Sequence, residues 1–113
     1  MRSLHLPEWD ATLRYHDLPG SDPPVVFLHG LGCAGSLDMI GMAACSPLSA
    51  HRRVLVDFLG HGFSDRPSGF SYRLEDHARS VAAALDDSRA RGCWVIGHSM
   101  GGTVGIVLAD LRP

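Results

Sequence analysis

The sequence predicts an α/β fold, in which a mostly parallel β-sheet with an N-terminal antiparallel hairpin is flanked by helices. Three short runs are continuously apolar or β-branched, which is the pattern of parallel strands covered on both faces. They are residues 25–28, 53–56 and 93–96. Each run is separated from the next by enough sequence for a helix, and strands that alternate with helices form right-handed parallel sheets.

The antiparallel hairpin is predicted at the start of the chain. Residues 2–6 and 11–18 are short strand candidates, and the segment from Pro7 to Asp10 has the composition of a turn between them. The segment from Pro19 to Pro24 is rich in Gly, Pro and Asp, so we predict a turn that joins the hairpin to the first parallel strand. A chain of 113 residues forms at most one domain.

Three helices are predicted between and after the parallel strands. The clearest runs from Leu74 to Arg89, where apolar side chains recur at helical spacing behind an acidic first turn. A weaker helix is predicted from Ser36 to Cys45. It must end there, because Pro47 follows and proline breaks a helix. A third helix-like run extends from Thr103 to Leu111.

The composition narrows the functions that are open to the chain. A net charge of -2 gives no attraction to nucleic acid or to an anionic membrane. The chain has no lysine, which excludes a Ser-Lys dyad or a Schiff base formed within it. No run approaches the roughly 20 apolar residues of a membrane span, and the start lacks the apolar stretch of a signal peptide.

The three cysteines show neither disulfide nor zinc spacing. We expect a cytoplasmic protein with no metal and no cofactor.

Ser99 is the candidate catalytic nucleophile. Residues 97–102 read Gly-His-Ser-Met-Gly-Gly, and they connect a predicted strand to a helix-like run. In a strand, G-x-S-x-G turn and helix of this kind, Gly97 and Gly101 leave room for the serine on a sharp, strained bend. The neighbouring His98 is expected to point its side chain the other way.

Three turns with glycine and polar residues follow the three parallel strands, where open α/β sheets bind their ligands. They are residues 29–32, 57–65 and 97–102. With these turns in this order, the chain from about residue 11 to its end resembles the α/β-hydrolase family. The resemblance implies that His29-Gly30-Leu31 is the family's HG-x sequence, and that the Leu31 and Met100 N–H groups form an oxyanion hole. It also implies that the turn beginning at Asp57 is a structural wall of the site.

The same resemblance implies a serine hydrolase, with esterase-like or lipase-like acyl transfer to Ser99 from a small-molecule ester or amide. Esterase, lipase-like, peptidase, carbon–carbon-bond hydrolase and perhydrolase activities all remain open, whereas serine argues against haloalkane dehalogenase and epoxide hydrolase relatives. The family's triad continues with an acid and then a histidine. After Ser99 there is one acid, Asp110, and no histidine. We therefore expect residues 1–113 to be the N-terminal portion of one such domain, truncated after the nucleophile helix.

This expected truncation has two consequences. The chain alone is expected to be inactive or weak, because it has the nucleophile without its base. The strand at residues 93–96 is expected to have one unpaired side, and an open strand edge recruits another chain, so we expect self-association.

Two alternatives to a serine hydrolase stay open from the sequence. Residues Gly30 to Gly35 read G-x-G-x-x-G after a strand, and Asp57 follows Gly35 by roughly 20 residues, as in a dinucleotide-binding fingerprint. The chain is then a Rossmann-type domain. The other alternative is a non-catalytic remnant that keeps only the hydrolase fold.

The histidines are expected to be structural. His29 and His61 lie in glycine turns, where an imidazole can hydrogen-bond to the loop backbone. His77 lies beside the apolar stripe of its helix and is predicted at the surface or its boundary. Cys93 opens an apolar strand and is predicted to lie in the core.

Overall fold

The computed structural model describes residues 1–113, and its framework is one five-stranded sheet in the order β1-β2-β4-β3-β5. The strands are β1 (Arg2–Leu6), β2 (Ala11–Leu18), β3 (Ser21–Leu28), β4 (His51–Asp57) and β5 (Trp94–Gly97). β1 pairs with β2 and β2 with β4 in antiparallel register. β3 is parallel to both β4 and β5. The predicted α/β sheet with its N-terminal hairpin is confirmed, with parallel pairing among β3, β4 and β5.

Helices cover both faces of this sheet. They are α1 (Gly35–Asp38), α2 (Ile40–Ala43), α3 (Leu74–Ser88) and α4 (Met100–Leu111), with a 3-10 turn at Leu48–Ala50. The predicted long helix agrees with α3 to within one residue at its end. The single helix predicted for residues 36–45 is wrong, because two short helices occupy this segment and Met39 between them turns into the core.

The start of β3 also differs from the prediction. Pro19 to Pro24 was expected to be a turn, yet the strand begins at Ser21. The pairing of β3 with β4 shifts register between Ser21 and Val25. Proline has no N–H to donate to a sheet ladder, which accounts for an irregular strand start here.

The core has two parts, one on each face of the sheet, because alternate residues of β3 point to opposite faces. Val26 and Leu28 belong to the larger cluster, which is closed by α3 and α4. Val25 and Phe27 belong to the smaller one, which Met39 and other residues of the α1–α2 region complete.

β5 differs from the other parallel strands because packed residues do not cover both of its faces. It pairs only with β3 and forms one edge of the sheet. Trp94 is 69% exposed and Val95 is 41% exposed, so the expectation that this run is covered on both faces is wrong. The expected core position of Cys93 is likewise wrong, since this residue is half-buried before the edge strand. None of the helices combines the length and apolar composition that crossing a membrane requires.

Candidate active site

Ser99 lies at a strained bend between β5 and α4. Its backbone has φ 54° and ψ -119°, a conformation that non-glycine residues rarely adopt. The bend is fixed from both sides, because the His98 N–H donates to Leu28 O at 2.9 Å and the Gly102 N–H donates to Ser99 O at 2.9 Å. The surrounding hydrogen bonds thus hold the serine out of the regular strand and helix geometry.

Two glycines make this bend possible. A Cβ atom on Gly97 would lie 2.6 Å from the carbonyl carbon and oxygen of Gly101. A Cβ atom on Gly101 would overlap the carbonyl oxygen of Leu28 on the neighbouring strand β3. The backbone of α4 can therefore approach the sheet only with glycine at both positions, as the G-x-S-x-G sequence indicates.

The Ser99 side chain is accessible and unengaged. The residue is exposed, and its side chain makes no capping hydrogen bond to α4. A Cβ atom built on Gly30 would lie 3.4 Å from Ser99 Cβ and 3.0 Å from His98 Nδ1. Both residues of the bend thus approach the turn after β3, which differs from the expectation that His98 points its side chain the other way. No histidine nitrogen is hydrogen-bonded to Ser99 Oγ.

Two backbone N–H groups of the turns that meet at Ser99 have no acceptor within the chain. They belong to Leu31, in the turn after β3, and to Met100, the first residue of α4. The N-terminal end of a helix carries partial positive charge, so the Met100 N–H favours a negatively charged acceptor. These are the two donors that the sequence predicts for an oxyanion.

His29 fixes the turn that carries Leu31. It is fully buried, its Nδ1 lies 2.8 Å from Gly30 O, and its Nε2 accepts the N–H of Phe58 at 3.0 Å. Nε2 is therefore the unprotonated nitrogen and Nδ1 carries the proton. Burial lowers the pKa of His29, which keeps this neutral form. The ring thus ties the turn after β3 to the turn after β4.

His29 belongs to a group of packed rings. His61, which bonds through Nδ1 to Leu59 O at 3.1 Å, has its ring centroid 5.1 Å from that of His29. His77 is only 1% exposed, and its centroid lies 4.9 Å from that of Phe58. The prediction that His77 lies at the surface is wrong, because the turn after β4 packs over this part of α3. Burial, followed by the nearby His61 and His29, lowers the pKa of His77 to about 4.

Asp57 organises the turn after β4. Its carboxylate accepts the backbone N–H and the hydroxyl of Ser36, each at 2.9 Å, and the N–H of Phe63 at 2.9 Å. The residue is 1% exposed. This buried carboxylate is a structural group in the wall of the site.

These contacts argue against the dinucleotide-binding alternative. That fingerprint needs an acidic side chain free to bind ribose hydroxyls and a helix that begins at its glycines. Asp57 is fully engaged, and α1 has only four residues. A Cβ atom on Gly35 would lie 2.6 Å from Val56 O, so this glycine serves the packing of the turn on β4.

The remaining groups of a hydrolytic triad have no counterpart beside Ser99. Asp110 lies on α4, as expected, and is exposed. No group of three or more His, Cys, Asp or Glu side chains is arranged to hold a metal ion. The candidate site therefore consists of the exposed Ser99 and two unpaired backbone N–H groups.

Comparison with known proteins identifies relatives of this chain. The alpha/beta hydrolase fold family matches residues 23–113. The 2-hydroxy-6-oxo-2,4-heptadienoate hydrolase of Pseudomonas putida is 34% identical over 99 residues, covering 87% of this chain and 36% of the relative. Haloalkane dehalogenase 2 of Mycobacterium tuberculosis is 31% identical over 93 residues, covering 82% of this chain and 32% of the relative.

Solved structures give the same result for the fold. The structure of Est816, an N-acyl homoserine lactone degrading enzyme, matches with a TM-score of 0.86 and 25% identity, covering 99% of this chain and 41% of that one. The chain thus spans about a third of the length of the two curated relatives. The names of these three proteins, a hydrolase, a dehalogenase and a lactone-degrading enzyme, give different substrates.

Proposed function

Because the chain belongs to the α/β-hydrolase fold family, we propose that it is the nucleophile-bearing part of a serine hydrolase that acts on a small-molecule ester or amide. The observation that carries this proposal is Ser99, unengaged on its strained bend, with two unpaired N–H groups in the turns that meet there. They belong to Met100, the next residue, and to Leu31, in the turn after β3. Such a bend costs on the order of 1–3 kcal/mol, and strain of this kind concentrates at functional sites.

In the proposed reaction, Ser99 Oγ attacks the carbonyl carbon of the substrate. A bond forms between Oγ and that carbon, and the carbonyl electron pair moves to oxygen. The Leu31 and Met100 N–H groups donate to this oxyanion, an interaction that typically contributes about 3–4 kcal/mol for each donor in a serine hydrolase. Collapse of the intermediate breaks the bond to the alcohol or amine. This leaving group takes up the proton that Oγ gives up, through solvent water, and Ser99 is left acylated.

A serine nucleophile favours acyl chemistry over dehalogenation. Displacement of a halide from carbon by this fold uses a carboxylate nucleophile, and residue 99 is serine. The lactone degraded by the related Est816 is a cyclic ester, whose carbonyl a serine can attack. Esterase-like or lipase-like acyl transfer is therefore the proposed reaction class.

The proposal also implies that residues 1–113 alone hydrolyse a substrate slowly. Serine hydrolases need a histidine that accepts the proton of the nucleophile and then activates water. No such histidine contacts Ser99, so acylation by an activated ester is expected to be slow and deacylation slower still. An acyl-protein should accumulate.

The test is acylation by 4-nitrophenyl acetate, followed by intact-protein mass spectrometry. We expect one acetyl group per chain, lost in Ser99→Ala and retained in Ser68→Ala, which removes a serine from an exposed loop. Equal acetylation of the protein and Ser99→Ala would refute the proposed nucleophile. Absence of acetylation in the protein would favour the non-catalytic remnant instead.

We further propose that the chain self-associates through β5. The outer side of this edge strand presents unpaired backbone groups beside Trp94 and Val95, and the nearby Ile106 of α4 is 73% exposed. Exposed apolar strand edges are templates for pairing with another chain. A second copy offers the same edge in return.

Sedimentation velocity over a wide concentration range tests this association. We expect the sedimentation coefficient to rise with concentration, and Val95→Lys to suppress the rise because an edge lysine opposes strand pairing. Ser68→Lys adds the same charge on a distant loop and should leave the rise unchanged. A monomer at all concentrations would refute the proposal.

A further inference from the structure

A cavity of about 380 Å³ lies beside the candidate active site. One side is formed by the turn after β3, the other by the turn after β4, and the mouth by two longer side chains. The lining residues are Leu31, Gly32, Cys33, Gly60, His61, Gly62, Arg66 and Tyr72. The volume is within the range of small-molecule sites, about 300–1,000 Å³. No Asp or Glu side chain lines it.

The cavity adjoins Ser99 through the turn after β3. Gly30 is the residue against which Ser99 packs, and the next residue, Leu31, lines the cavity. Leu31 follows Gly30 directly, so the cavity begins about 3.8 Å along the backbone from the residue that Ser99 approaches. A substrate whose carbonyl lies at Ser99 would thus extend a few further atoms towards Arg66.

Arg66 brings an unneutralised positive charge to this cavity. Its one hydrogen bond, to Gly62 O, is 3.5 Å long, which is beyond the usual range of about 2.7–3.2 Å. The neighbouring Asp65 is engaged elsewhere, since it accepts the Thr12 N–H at 2.8 Å and bonds Arg14 at 3.2 Å. The guanidinium of Arg66 therefore retains its donors for a ligand.

Tyr72 supplies a further donor on the same wall. A Cβ atom on Gly60 would lie 2.5 Å from its phenol oxygen, so the ring packs directly on the turn after β4. Tyr72 itself has φ 61°, in the left-handed region that costs energy for a bulky residue. The phenol oxygen makes no hydrogen bond to the protein. Tyr72 thus adds a hydroxyl without a protein partner to the cavity that Arg66 also lines.

We propose that this cavity binds a carboxylate group of the substrate, with Arg66 as a specificity-determining residue and the Tyr72 hydroxyl as a second donor. A guanidinium binds a carboxylate through two parallel hydrogen bonds, and its single charge matches a single carboxylate. The substrate class is therefore an ester or amide that also carries a carboxylate a few atoms from the reacting carbonyl. The role of this carboxylate in substrate selection rests on the proposed function at Ser99.

Binding of butyrate and of its neutral isostere butyramide to the full chain tests the cavity, by ligand-observed saturation-transfer NMR at neutral pH. Charge-assisted hydrogen bonds discriminate by about tenfold or more, so butyrate should bind at least that much more tightly than butyramide. Arg66→Gln should abolish this preference, and Tyr72→Phe should weaken it. Arg91→Gln, which removes another exposed arginine that forms no ion pair, is the matched control and should change nothing.

Equal binding of the two probes, or an unchanged preference in Arg66→Gln, would overturn the proposal. Far-UV circular dichroism checks the fold of that variant. If Arg66→Gln does not fold, Arg66→Lys takes its place and should reduce the preference, because lysine keeps the charge and loses the two-pronged geometry. Ser99→Ala should bind butyrate normally. Butyrate selectivity without acetylation of Ser99 would therefore refute the proposed function alone, and acetylation without selectivity would refute the cavity alone.

Discussion

Replacing the buried His77 by phenylalanine should remove a large part of the acid sensitivity of the fold. Burial lowers the pKa of His77 from 6.5 to about 4, so the folded protein holds this ring neutral while the unfolded chain protonates it. The stability that depends on neutral His77 is fully present above pH 6.5 and is lost as the pH falls towards 4. Linkage gives a loss of about 2 kcal/mol between pH 7 and pH 5.

Phenylalanine suits the site of His77. The ring centroids of Phe58 and Phe70 lie 4.9 and 5.0 Å from that of His77, and Nδ1 of His77 is buried without a hydrogen-bond partner. An apolar ring removes this unsatisfied nitrogen, so His77→Phe should be at least as stable as the protein at pH 7.

Urea unfolding at pH 7 and pH 5, at low protein concentration, measures the effect. The variant should lose about 2 kcal/mol less than the protein between the two pH values. His5→Phe, at an exposed histidine of β1, is the control and should follow the protein. An identical pH dependence for His77→Phe and the protein would refute this account of the buried rings.

Three further predictions concern the turns and the strand pairing, each measured by urea unfolding. Gly101→Ala places a Cβ atom against Leu28 O and should cost about 3 kcal/mol or more; a variant of normal stability would mean that α4 can move away from the sheet. Asp57→Asn puts an amide where a carboxylate accepts three hydrogen bonds and should cost about 1–3 kcal/mol. The Arg52 guanidinium, bound to Asp17 at 2.8 and 2.9 Å, lowers the pKa of Asp17, so Asp17→Asn should destabilise by about 1–2 kcal/mol at pH 7. This cost should begin to shrink as the pH falls below 3.8, the ordinary pKa of the unfolded chain, and should be lost only below the still lower pKa of Asp17 in the folded protein. A cost that does not shrink below pH 3.8 would contradict the ion pair.

The sequence predicts the parts of this fold that depend on local pattern. β1, β2 and α3 follow alternation, apolar spacing and turn composition, so their bounds agree closely with the prediction. The glycine turns at the strand ends were predictable for the same reason, because a residue such as Ser99 needs specific small neighbours in sequence.

The misses depend on contacts outside the element concerned. His77 is buried by rings from the turn after β4 and from the segment that precedes α3, so its position beside the apolar stripe did not predict its exposure. The unpaired side of β5 was expected from the family resemblance, but the exposure of its faces was not, because its apolar sequence alone resembles that of a strand covered on both faces. The cavity at Arg66 arises only when two turns meet and Tyr72 adopts its left-handed backbone conformation.

The central claim is that the fold makes Ser99 the most reactive serine of the chain. The most direct test is reaction with a fluorophosphonate, followed by peptide mass spectrometry to locate the adduct. The account predicts that the adduct forms on Ser99 faster than on any other serine, because the proposed oxyanion donors, the unpaired N–H groups of Leu31 and Met100, serve this serine alone. An adduct that forms preferentially on another serine, or equally on all exposed serines, would contradict it.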